Sequence, residues 1–139
     1  MPYLPGNEHE IRALVPAADE AYRYARDNVL RAGLVDPELK ELCFRYLAED
    51  PEVADLAGFD GRERLALRWA HAIAWDSSTA DDDLWAGLHA HFSEPELVEL
   101  GCAIGFELGQ QRVIKTWGVG HGELLSDTTG GLAPGKVAS

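Results

Sequence analysis

The stretch from Ser93 to Gly118, SEPELVELGCAIGFELGQQRVIKTWG, constrains the fold more than any other part of the chain. Ser93, Glu94, Pro95 and Glu96 form a capping box with an early proline, and Gly118 is placed to stop the helix they open, so the segment predicts one long helix through about Trp117. That helix is apolar on nearly every side. A surface helix carries a single apolar stripe, so this one belongs at the centre of a core or at a subunit interface. Its polar residues are then costly. Glu107 would be desolvated, with a raised pKa unless a cation or donor compensates, and it reads either as a structural group paired with an arginine of another helix or as a site residue. Gln111 lies one turn on. Gly101, Gly105 and Gly109 recur every four residues as a stripe without side chains, which suits the close approach of another helix or a ligand. A membrane span is excluded, because the uninterrupted apolar run is too short and Glu107 breaks it.

The rest of the 139-residue chain is helical in pattern as well, with no alternating strand and no internal repeat, which predicts an all-α fold in one domain. After a Pro-rich lead over residues 1–16, a first helix is expected from Ala17 to Ala32, stopped by Gly33. Asp36-Pro37 opens a second, with Leu39, Leu42, Cys43, Tyr46 and Leu47 on one face. It ends near Asp50-Pro51, and Pro51 to Gly58 reads as a turn. Asp60 and Glu63 make a capping box for a helix through Trp75, and Thr79 begins another whose first turn holds Asp81, Asp82 and Asp83. The helical domain closes at Gly118, and residues 119–139 form a Gly-rich tail.

Charge narrows the function classes. Twelve Lys and Arg against 24 Asp and Glu give a formal net charge of -12, which repels nucleic acid and anionic membrane surfaces. The N-terminus MPYLPGNEHE lacks a basic segment followed by an apolar run, so a cytoplasmic location is expected. Cys43 and Cys102 lie far apart in apolar helical contexts and are expected to be reduced and buried.

Helical spacing puts Arg64, Arg68, His71 and Trp75 along one side of their helix, opposite Ala66, Trp69, Ala70 and Ile73. Such a stripe could hold a carboxylate through its arginines, with His71 as acid or base and Trp75 as an apolar wall; it could equally be a solvated or subunit-facing side. No metal is expected, because His9, His71, His89, His91 and His121 show no dense ligand spacing. Neither a cofactor motif nor a Ser-His-Asp pattern is present.

Two segments carry a family resemblance: FDGRERLALRWAHAIAWDSSTADDDLWAGLHAHFSEPELVELGCAIGFELGQQRVIKTWG, from Phe59 to Gly118, and AADEAYRYARDNVLRAGLVDPELKELCFRYLAE, from Ala17 to Glu49. Together they resemble the carboxymuconolactone decarboxylase and alkylhydroperoxidase D-like family. The resemblance implies a compact bundle of about five main helices, shortened relative to the family, and a homo-oligomer of trimeric or hexameric type. It places Glu41 at the family's proton-relay glutamate. The chain departs from the family where the Cys-x-x-Cys-x-x-x-His helix would stand, since no Cys-x-x-Cys occurs in it. The non-redox decarboxylase branch is therefore the better analogue. What it implies is cofactor-independent acid–base chemistry on a small organic acid, or binding of one, with His71, Glu41 and Glu107 as catalytic candidates. Arg64, Arg68, Trp75 and Gln111 are the binding candidates. The alternatives are a non-catalytic subunit that keeps the fold for assembly, and a residual thiol activity using Cys43 or Cys102.

Overall fold

The computed structural model describes residues 3–48, 56 and 58–119. Among these the chain forms six α-helices and no strand: α1 (Glu8–Arg12), α2 (Pro16–Ala25), α3 (Pro37–Ala48), α4 (Gly61–Ala74), α5 (Asp82–His91) and α6 (Glu94–Trp117). The architecture is an all-α bundle. α3 packs against both α4 and α6, and α4 in turn carries α5. Leu42, Cys43 and Leu47 of α3, Leu67 and Ala70 of α4, Leu88 of α5, and Leu100 and Ile104 of α6 make the buried centre.

Three starts obey the capping chemistry of the sequence. Asp60 and Ser93 each accept from the backbone amide three residues on, and Glu63 and Glu96 reach back to the cap amides, so both boxes close. Asp81 caps α5 by accepting from the Leu84 amide, which puts only Asp82 and Asp83 in the first turn. Thr79 therefore does not begin α5; it ends a short 3-10 turn, Ser77–Thr79, held by the Asp76 side chain. Gly118 ends α6 in the left-handed region at φ 78°, where glycine has no Cβ penalty.

The lead before Ala17 has structure of its own. Asn7 and Glu10 form a third closed capping box and start α1. Arg12 is buried: it donates to Glu8 at 2.8 Å and to Gln110 at 3.1 Å, with its guanidinium 3.6 Å from the Tyr22 ring centroid. The first long helix also ends early. α2 runs into a π-helical turn, Arg26–Leu30, and does not reach Ala32.

What fixes that turn is Lys40, fully buried on α3. Its ammonium donates to the carbonyls of Val29 at 2.6 Å and Ala32 at 2.7 Å, and meets the Glu99 carboxylate at 2.9 Å. Three partners match the three donors of an ammonium, so a charge that would be costly in an apolar interior is fully satisfied. Glu99 accepts further from the amides of Leu34 at 2.9 Å and Val35 at 2.7 Å. Gly33, at φ 115°, lets the chain turn directly against that carboxylate, where a Cβ would collide with it.

The expected turn over Pro51 to Gly58 and the Gly-rich tail fall mostly outside the described residues. No described helix is long and apolar enough to cross a membrane.

Candidate functional site

His71 sits in the last turn of α4, half-buried, on the side that meets α3. Tyr46 stands there because it continues the apolar face of Leu39, Leu42 and Cys43. Its hydroxyl lies 3.0 Å from His71 Nδ1. Trp75, one turn beyond His71, closes the end of α4, its amide donating to the His71 carbonyl at 2.9 Å. The Trp75 ring centroid is 5.7 Å from that of Tyr46, edge to face, and 5.3 Å from that of His71. From α6, Arg112 brings its guanidinium carbon to 5.7 Å from the Trp75 centroid, within cation–π range. Three helices thus converge on one cluster: a phenol, an imidazole, an indole and a guanidinium.

Burial raises the Tyr46 pKa above the ordinary value of 10.0, so its phenol stays neutral throughout the physiological range. A neutral phenol can donate to Nδ1 of a neutral imidazole or accept from a protonated one, and the pair can pass a proton in either sense. Beside it, the Asp76 carboxyl lies below its usual range, chiefly because the Ser78 hydroxyl and amide bond to it; the His71 charge adds to the effect.

Glu107 is completely buried. Gln111, one turn on, is one of its partners. Its amide nitrogen donates to Glu107 Oε2 at 2.8 Å and to the Phe44 carbonyl at 3.0 Å, tying the carboxylate to α3. Phe44 and Tyr46, two residues apart on α3, therefore meet the Glu107–Gln111 pair and His71 respectively.

The remaining expected site residues lie elsewhere. Glu41 pairs with Arg45 at 3.4 Å, one turn along its own helix, and both side chains are largely sheltered from solvent. Desolvation raises the Glu41 pKa even though Arg45 opposes it. Arg64 is occupied with structure, donating to the Phe59 carbonyl at 2.7 Å ahead of α4. Arg68 is exposed. The stripe on α4 is thus divided: its C-terminal half, His71 and Trp75, enters the cluster, and its N-terminal half does not.

On the opposite side of α4 a groove of about 440 Å³ opens between α4, α5 and α6. Trp69 and Trp85 form its walls, edge to face at 5.4 Å, with His89, Val98 and Cys102 at its rim. Cys102 is exposed, contrary to expectation, because the outer face of α6 is uncovered among the described residues; Cys43 is buried as expected. Burial, with a smaller effect from Asp36, pushes the Cys43 thiol up to about 12.

No family model, curated protein or solved structure matches this chain. Function therefore rests on the residues and their geometry.

Proposed function

We propose that the protein binds a small organic carboxylate where α3, α4 and α6 meet, and moves a proton on it through the Tyr46–His71 pair. The observation that carries this reading is the 3.0 Å contact between the Tyr46 hydroxyl and His71 Nδ1 beside an arginine and an indole. Arg112 supplies the positive charge for the carboxylate, and Trp75 is the apolar wall. His71 is the acid or base, with Tyr46 fixing its ring and sharing the proton. Glu107 and Gln111 support the site from behind by locking α6 to α3. The same reading keeps the family resemblance: acid–base chemistry without a cofactor, in a homo-oligomer, as in the decarboxylase branch of the carboxymuconolactone decarboxylase and alkylhydroperoxidase D-like family.

A thermal-shift screen of small aromatic and lactone acids tests it. A ligand that binds only the native state raises the melting temperature with its concentration. The expected hit stabilises wild type and loses its effect in Arg112→Ala. The absence of any hit favours the non-catalytic subunit.

A further inference from the structure

Two glycines in the middle of α6 have no packing role among the described residues. Gly105 and Gly109 are exposed, and a Cβ added to either would meet nothing within 4 Å. Gly101 is different, because a Cβ there would come within 2.8 Å of the Trp69 ring. A glycine inside a helix is less favourable than alanine, so two exposed ones call for a neighbour that approaches the backbone itself.

The surrounding face is apolar. Val98 is 67% exposed and Val113 44%, and Cys102 lies exposed between them. Helical spacing puts Val98, Cys102, Gly105, Gly109 and Val113 on one stripe, turned away from the buried Leu100, Ala103 and Ile104. The stripe runs into the groove walled by Trp69 and Trp85, because Val98 and Cys102 line both. Its two ends differ in charge: Glu94 stands at the first, Arg112 and Lys115 at the last.

We propose that this face binds the same face of a second copy of the chain, with the two α6 helices antiparallel about a two-fold axis level with Ala103 and Ile104. In that register Val98 of each copy rests on the bare backbone of Gly109 in the other, and Cys102 rests on Gly105. The acidic start of each helix meets the basic end of its mate. A parallel pairing would set Glu94 against Glu94 and Arg112 against Arg112, so charge selects the antiparallel one. Each contact occurs twice, as a two-fold interface requires. The second copy also covers the open side of the tryptophan groove, an apolar surface that is otherwise left to water. This interface does not rest on the carboxylate reading, and its test needs no ligand.

Sedimentation velocity of the full chain at micromolar concentration is expected to give two chains per particle, or a larger even number. Gly105→Gln and Gly109→Gln should each give single chains with undiminished helical circular dichroism, because glutamine is the better helix former and only the second backbone is obstructed. Val98→Lys reaches the same end without touching a glycine. A short bis-maleimide should join Cys102 to Cys102 in wild type, but not in Cys102→Ser or Gly109→Gln. Wild type sedimenting as single chains overturns the proposal, whether the C-terminal tail or nothing covers the face. A trimer overturns it too, as does an even oligomer that survives all three substitutions.

Discussion

Lys40 and Glu99 meet at 2.9 Å in the interior, and through them the turn after α2 is tied to the second turn of α6. The lysine satisfies two carbonyls of that turn while the glutamate satisfies two amides of the adjoining loop. A single ion pair thus organises one corner of the fold. Lys40→Met should leave the Glu99 charge and both carbonyls poorly satisfied, a loss of about 3–5 kcal/mol by the usual effect of removing one partner of a buried pair. Urea denaturation measures this directly. A loss below about 1 kcal/mol, the worth of an exposed pair, would show that water replaces the ammonium without penalty.

Two glutamates should tilt the pH dependence of stability in opposite directions. Burial acts to raise the Glu99 carboxyl, but the Val35 and Leu34 amides and the Lys40 ammonium outweigh it and hold the group below its ordinary 4.5. Its contribution is present above 4.5 and lost as pH falls through the lower folded value. Glu41 is raised above 4.5 by desolvation, so its contribution is complete below 4.5 and lost as pH rises through the higher folded value. Relative to wild type, Glu99→Gln should therefore lose its deficit in acid, whereas Glu41→Gln should gain relative stability as pH rises above 4.5. Chemical denaturation across pH 3 to 7 reads both; parallel profiles for the three proteins would contradict the assignment.

The capping boxes at Asp60 and Ser93, the Asp36-Pro37 region and the Gly118 stop were legible because they are local: donor, acceptor and breaker stand within a turn of one another. The box at Asn7 and Glu10 is equally local, but the prolines around it mask a five-residue helix. Lys40 could not be read. A lysine among Leu39, Leu42 and Cys43 looks like a solvated residue until the carbonyls of Val29 and Ala32 arrive beside it. The candidate site divides the same way. His71 and Trp75 share a face by helical spacing alone, while Tyr46 and Arg112 reach them only through the packing of three helices. The even spacing of Gly101, Gly105 and Gly109 suggested one role, yet among the described residues only Gly101 meets a ring.

The two thiols should separate cleanly. Cys43 is wholly buried with its thiol pushed up to about 12, and Cys102 is exposed on the single chain, so in native protein diluted until the chains separate one thiol per chain should react with a disulfide reagent and a second only after denaturation. Replacing both by serine should spare any native activity, apart from the packing lost at Cys43. Turnover of a peroxide that depends on either sulfur would instead revive thiol chemistry.

Binding and proton transfer should be separable at the α3–α4–α6 junction. Tyr46→Phe keeps the ring against Trp75 and removes only the hydroxyl, at a cost to stability of about 1 kcal/mol for one hydrogen bond. If the Tyr46–His71 pair moves the proton, this variant and His71→Ala should still show the ligand-dependent rise in melting temperature found in the screen, while kcat falls by about 100-fold or more, as expected for loss of general acid–base catalysis. Arg112→Ala should do the reverse, raising KM with a smaller change in kcat, because it removes binding shared by ground state and transition state. Equal kcat in wild type and Tyr46→Phe, at matched pH and saturating ligand, would remove the phenol from the chemistry and leave His71 to act with water alone.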